Sequence, residues 1–250
     1  MCGFAGILNL HHPLRKEEIA PILHSMGDQI AYRGPDDEQL FCDQSIGMVF
    51  RRLSIVDLVG GVQPMSNEDD SLMLVLNGEI YNHEELKPLL KDQHHFKSRS
   101  DCEIVLHLYE EMGVDFLLHL NGMFSLALWD RRNRKLILAR DRLGIKPLYY
   151  SINKERVLFG SEIKALMPYP DCPREYDWEH ALSAPNHEHA AQDFTIHSYF
   201  KGIEYLPGGK YLVVDLQGES IEEKCYWRLS PLTMEAVSYT HLTLPTIYSV

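Results

Sequence analysis

Apolar residues along the chain fall into two repeating patterns, and the switches between them mark its elements. Residues 3–10, GFAGILNL, form a nearly unbroken apolar run punctuated by glycine, as expected of a buried strand. Ile19, Ile22, Leu23, Met26 and Ile30 then recur at helical spacing, which predicts an amphipathic helix ending near Tyr32. Arg33-Gly34-Pro35-Asp36 follows as a turn, because Gly and Pro oppose further helix. Strand-like runs come next at 38–42 and 46–52. The β-rich run 71–76 is predicted to stop at Asn77-Gly78, a strong turn pair. Helical spacing returns over 102–113, where Ile104, Val105, Leu108 and Met112 share a face and Gly113 is the C-terminal stop. Residues 123–129 and 135–139 read as a hairpin across 130–134, followed by shorter strands near 148–152 and 157–160. LPGGKYLVVDL, within 201–216, adds a turn and one more strand. Helices set between long antiparallel strands predict an α+β layered domain.

Composition narrows the function classes. With 250 residues, 45% of them hydrophobic, the chain can bury one substantial core. A net charge of −12 argues against nucleic acid or an anionic membrane as the main partner. No apolar run approaches the ~20 residues needed to span a bilayer. The N-terminus lacks the basic-then-apolar pattern of a signal peptide. Five scattered cysteines (Cys2, Cys42, Cys102, Cys172 and Cys225) contain no CxxC pair, so neither a disulfide framework nor a zinc site is expected, and a reducing cytoplasm is the economical location.

Several positions carry candidate chemistry. Cys2 follows the initiator Met1 directly, and removal of Met1 would give one residue both a thiol and a free α-amine. Their reference pKa values, about 8.5 and about 7.7–8.0, suit a nucleophile and a general base. Arg52 is either a solvated strand-end arginine or a guanidinium fork for a carboxylate. Asn77-Gly78 is either a turn or the amide and backbone N–H of an oxyanion hole. Asp101, before a helix, is either an N-terminal cap or an acceptor for an ammonium. His187, His189 and His197 sit in a His-rich stretch without the spacing of a metal site, and no metal is expected there.

Taken in order, CGFAGI, YRGPDD, RLSIVD, NGEIYNH, SDCEI, NGMFSLALWD, RDRLGIKPLYY and SEIKAL resemble the N-terminal glutaminase domain of glutamine-hydrolysing asparagine synthetases. The likeness runs to about Leu229, through KGIEYLPGGKYLVV and CYWRL. It implies a class II amidotransferase with the four-layer αββα sandwich of antiparallel sheets found in N-terminal-nucleophile hydrolases. It implies that Cys2 is the nucleophile and its α-amine the base, and that Asn77 and Gly78 form the oxyanion hole. Arg52 and Asp101 would hold the α-carboxylate and α-ammonium of L-glutamine, with Glu79 and the backbone near Ile55 and Val56 lining its pocket. Many family members have His where this chain has Tyr32, and only an indirect effect is expected of that difference.

The resemblance also sets expectations for domains and partners. The glutaminase domain would span 1–216, with 217–235 beginning the connection to a synthetase domain. That domain, which would bring ATP, Mg and aspartate, has no SGGxDS or GxxxxGK loop here to represent it. No cofactor is expected in this chain, and a homodimer is compatible with the family. Its ammonia would go to aspartate or, in asparagine-synthetase-like amidotransferases, to another carboxylate; related amidotransferases feed sugar phosphates, phosphoribosyl pyrophosphate or glutamate synthesis. A folded fragment without catalysis is the third reading. The closing VSYTHLTLPTIYSV matches nothing in the family, and 236–250 is expected to be a non-native tail translated from adapter sequence.

Overall fold

The computed structural model describes residues 2–53, 61–90, 94–183 and 198–229. In chain order the elements are β1 (Gly3–Asn9), α1 (Lys16–Asp28), β2 (Asp37–Cys42), β3 (Ile46–Arg52), β4 (Met65–Ser66), β5 (Leu72–Ile80), α2 (His83–Leu86) and α3 (Glu103–Met112). There follow β6 (Gly122–Asp130), β7 (Lys135–Arg140), β8 (Tyr149–Ile152), β9 (Arg156–Gly160), α4 (Ile163–Leu166), α5 (Trp178–Ser183), β10 (Glu204–Tyr205), β11 (Lys210–Asp215) and β12 (Ser220–Cys225). The strands form two six-stranded sheets, one in the order β10-β8-β9-β1-β3-β2 and the other β12-β11-β7-β6-β5-β4. Every pairing between them is antiparallel.

Strand alternation builds four layers from this order. Phe4 and Leu8 of β1 and Met48 and Phe50 of β3 face Met73 and Val75 of β5 and Ala127 and Trp129 of β6, forming the core between the sheets. The opposite rows of the first sheet, including Ala5, Ile7 and Val49, pack on Leu23 and Met26 of α1 and Leu166 of α4. Leu74, Leu76 and Leu126 of the second sheet pack on Ile104, Val105 and Leu108 of α3. Trp129 also ties the sheets together, its indole donating across to Asp43 Oδ2 at 2.8 Å, while Asp43 Oδ1 closes the β2–β3 turn by accepting from the N–H groups of Ser45 and Ile46. Among the described residues no helix is long and apolar enough to cross a membrane.

Two local expectations change. α1 stops at Asp28, not near Tyr32, because the chain tightens into successive i to i+3 bonds up to Gly34. Ile30 stays in the core while the chain swings Arg33 toward β1. Asn77-Gly78 is not a turn: β5 runs through it to Ile80, paired with Ser125 and Phe124 of β6. Pairing across the sheet overrides the local turn preference. Beyond residue 216, β12 pairs with β11 along its full length.

The RDRLGIKP stretch forms a polar knot that alternation does not reveal. Arg140 is 2% exposed, and its guanidinium donates to the carbonyls of Lys146 (2.5 Å), Leu206 (2.8 Å) and Gly144 and to the Tyr205 hydroxyl. Asp141, equally buried, accepts from the N–H groups of Phe124, Leu143, Ile145 and Lys146 at 2.9–3.2 Å. Only the planar fork of arginine reaches several carbonyls at once, so Arg140→Lys keeps the charge and strands its acceptors. The expected loss is about 2–4 kcal/mol from two or more charge-assisted bonds, read as a lower midpoint in chemical denaturation at unchanged slope.

Candidate active site

The inner rows of both sheets turn polar at one end. On β1 the row Leu8, Phe4 continues to Cys2, whose side chain packs against the inter-sheet core. On β3 the row Ile46, Met48, Phe50 continues to Arg52, and on β5 the row Met73, Val75 continues to Asn77. Gly3 pairs with Arg51, so one further step in register sets Cys2 opposite Arg52. Alternation therefore aims the thiol, the guanidinium and the amide into the same space between the sheets.

Cys2 is held on both sides. Its Sγ lies 3.4 Å from the Leu53 N–H nitrogen and 3.6 Å from the Leu53 carbonyl. Its own carbonyl accepts from Arg33 Nε at 3.0 Å, and Arg33 pairs with Glu162 at 2.5 Å. Tyr32 completes this chain by donating to the same Glu162 oxygen, with Lys164 Nζ 4.0 Å from the centre of its ring. Burial alone would raise the Glu162 carboxyl pKa, but hydrogen bonds from Tyr32 and Arg33 hold it below its ordinary value. Position 32 thus reaches Cys2 through two intervening residues, Glu162 and Arg33. Sequence reading treated Arg33-Gly34 only as a turn and so missed Arg33. A side chain on Gly34 would sit 2.3 Å from the Arg51 backbone, so the RGPD turn has to press against the end of β3 beside Arg52.

β5 supplies the second wall through its backbone. The N–H and the carbonyl of Phe124 both bond to Asp141, on the side of β6 away from β5. Gly78, opposite Phe124, therefore occupies a position that turns its N–H away from β6. Leu76 and Ile80 share that orientation. The Leu76 N–H is taken by Gln63 Oε1 at 2.6 Å and the Ile80 N–H by Asp101 Oδ2 at 2.6 Å. Between them, the Gly78 N–H faces the open side of the strand. Only glycine fits there: a Cβ would lie 1.9 Å from the Met123 carbonyl oxygen. Asn77 is 1% exposed, and its Nδ2 meets no acceptor among the described residues.

Asp101 is not the cap of α3. Cys102 occupies the cap position, with no side-chain capping bond, and Asp101 instead reaches β5 through Oδ2. Its Oδ1 has only a weak 3.8 Å contact with the Cys102 thiol. That thiol is fully buried, and burial, reinforced by Asp101, pushes its pKa well above the usual thiol value, which leaves it inert. Glu79 is half-buried in β5. Ile55 and Val56 lie outside the described residues, as do Met1, the histidines at 187, 189 and 197, and the tail from 236.

A family model described as a glutamine amidotransferase domain matches residues 1–227. The chain is 46% identical over 242 residues to "Asparagine synthetase [glutamine-hydrolyzing] 2" of Bacillus subtilis, covering 94% of the chain and 32% of that relative. It is 36% identical over 248 residues to "Amidase chyE" of Penicillium rubens, covering 92% of the chain and 34% of that relative. It thus spans about a third of the length of the curated relatives it matches. Among solved structures, the glutamine phosphoribosylpyrophosphate amidotransferase of B. subtilis, complexed with ADP and GMP, superposes with a TM-score of 0.59 at 17% identity over 90% of the chain and 49% of that structure's chain, a likeness of fold. The chain belongs to the glutamine amidotransferase domain family and is homologous to part of the glutamine-hydrolysing asparagine synthetases.

Proposed function

We propose that this chain hydrolyses the side-chain amide of L-glutamine to glutamate and ammonia. The observation that carries the reading is the buried Asn77 amide without an acceptor among the described residues, beside the outward-facing Gly78 N–H and on the same inner surface as the Cys2 thiol. A buried donor left unpaired costs about 1–3 kcal/mol, so it is the signature of a partner supplied by substrate.

In this scheme Cys2, freed of Met1, attacks the amide carbon while its α-amine takes the thiol proton. The developing oxyanion accepts from Asn77 Nδ2 and Gly78 N–H. The C–N bond breaks, ammonia leaves with the proton returned by the amine, and a thioester remains on Sγ. Water, deprotonated by the same amine, hydrolyses it to glutamate and restores the thiol. Arg52 pairs with the α-carboxylate, Asp101 accepts from the α-ammonium, and Glu79, Ile55 and Val56 line the pocket. Sheet and site fall in the region shared with both an asparagine synthetase and an amidase. That supports assigning hydrolysis to this region and the ammonia acceptor to the remaining two thirds of such proteins. Aspartate activated by ATP is the acceptor that the 46% identical relative favours.

The decisive assay is ammonia release from glutamine by the chain with Met1 removed. Cys2→Ala should abolish it with an unchanged melting temperature; activity above about a tenth of wild type would remove Cys2 from the role of nucleophile.

Asn77→Asp replaces the donor by a charged acceptor. The rate constant should fall roughly 10²–10³-fold, or about 2.7–4 kcal/mol, at near-constant KM. A normal rate with reduced stability would show that Asn77 serves only the strand.

Asp101→Asn keeps an acceptor for the Ile80 N–H but removes the charge. KM for glutamine should rise by one to two decades, the equivalent of about 1.5–3 kcal/mol, with little change in maximal rate. A fall in rate alone would mean that Asp101 shapes the oxyanion hole and does not hold the ammonium.

A further inference from the structure

Away from Cys2, on the far side of α3, four side chains from three parts of the chain converge: Glu68 after β4, His94 before α3, and His107 and Glu110 on α3. One ligand atom from each lies within 4.8 Å of all the others. We propose that Glu68, His94, His107 and Glu110 form a structural site for a divalent transition metal of the zinc class.

The distances suit a single small cation. His107 Nδ1 lies 3.2 Å from Glu110 Oε2 and 3.7 Å from Glu68 Oε2, and His94 Nδ1 lies 3.5 Å from Glu110 Oε2 and 3.8 Å from Glu68 Oε1. A tetrahedron with zinc–nitrogen and zinc–oxygen bonds of about 2.0–2.2 Å has edges of about 3.4 Å. Two imidazoles with two carboxylates are a zinc-class donor set, since calcium and magnesium take oxygen ligands alone.

Three of the four ligands, His94, Glu110 and Glu68, also have a hydrogen-bond partner behind them. His94 Nε2 lies 3.0 Å from Glu111 Oε1, and His107 Nε2 faces Glu103 Oε1 at 3.7 Å. The first is a carboxylate–histidine pair of the kind that orients an imidazole ligand; the second is beyond hydrogen-bond reach, and the buried His107 Nε2 has no hydrogen-bond partner among the described residues. Asn67 Nδ2 donates to Glu110 Oε1 at 2.8 Å, and the His95 N–H donates to Glu68 Oε1 at 2.9 Å. His94 and His107 are 6% and 0% exposed, so the two rings are shielded from bulk solvent.

Proton counting adds a second argument. A neutral imidazole has one N–H, yet both rings face carboxylates from both nitrogens, and carboxylate oxygens only accept. Neither Glu68 nor Glu110 has a lysine or arginine ion pair among the described residues. One cation at the centre would satisfy both Nδ1 lone pairs and both carboxylates, leaving the His94 N–H for Glu111 and the His107 N–H turned toward Glu103. Sequence reading passed over this cluster because its members are 26, 13 and 3 residues apart and match no metal-binding spacing.

The test is direct zinc and cobalt titration of the whole chain after treatment with a chelator. The chain should take up one tight equivalent of zinc and melt at a higher temperature with it. Cobalt should give the visible bands of a tetrahedral nitrogen and oxygen site, without the thiolate charge-transfer band that ligation by Cys2 would bring. His94→Gln combined with His107→Gln should lose both uptake and thermal shift. Glu111→Gln, which leaves all four ligands in place and guards against a folding failure of the double variant, should weaken zinc roughly 10–100-fold. Replacing His187, His189 and His197 by Ala should change neither. Absence of tight uptake by the wild type, a cobalt spectrum with thiolate ligation, or loss of uptake only in the 187–197 variant would overturn the proposal.

Discussion

Everything at the site depends on one constraint, the shared apolar interior of two antiparallel sheets. That interior forces alternate residues of β1, β3 and β5 to face one another, because slipping any strand by one residue would turn its apolar row out of the core. Phe4, Phe50 and Val75 fix those registers. Once they are fixed, the residues two positions further on, Cys2, Arg52 and Asn77, must point into the same inter-sheet space. The polar convergence is thus a consequence of hydrophobic packing, and no single polar contact is needed to create it.

The edge of β5 shows how the same frame readies a backbone donor. Three N–H groups on its open side alternate with those that β6 consumes. Gln63 takes the first and Asp101 the third, each at 2.6 Å. A fully paired edge would have no capacity for a ligand, and a fully unpaired one would invite another strand. With the flanking groups satisfied, the Gly78 N–H is left facing the open side of the strand among the described residues. The Met123 carbonyl then excludes every side chain larger than hydrogen from that position. Gly78 is therefore fixed by the closeness of β6, not by a turn.

How much of this could be read from the sequence follows from what each signal measures. The long apolar runs and the α3 periodicity report burial, so β1, β3, the β6–β7 hairpin and α3 were legible to within a residue or two. Asn77-Gly78 misled because its turn preference is local, whereas its strand conformation is imposed by Ser125 and Phe124, nearly 50 residues away. The resemblance carried Cys2, Arg52, Asn77 and Asp101, but it gave no account of Arg33, Glu162 or the Arg140–Asp141 knot. Their work is done through contacts as distant as Arg33 to Glu162, which a periodic pattern does not encode. The Glu68–His107 cluster was illegible for the same reason.

Asp101 sits where these constraints meet. A carboxylate just before a helix is normally drawn into capping it, and its charge is then absorbed by the first-turn N–H groups. Here Ser100 bonds to the Cys102 N–H through its hydroxyl and to the Glu103 N–H through its carbonyl, so that demand is met without Asp101. Glu103 gathers the N–H groups of Lys97 and Ser98 at 2.6 and 2.7 Å and so fixes the approach to the helix. The same Glu103 stands behind His107. With capping assigned to Ser100 and the approach held by Glu103, Asp101 serves one backbone N–H through Oδ2 among the described residues. On the proposed reading of Asp101 as the ammonium acceptor, this division of labour among Ser100, Asp101 and Glu103 is what would let a helix terminus present negative charge to a ligand without consuming it.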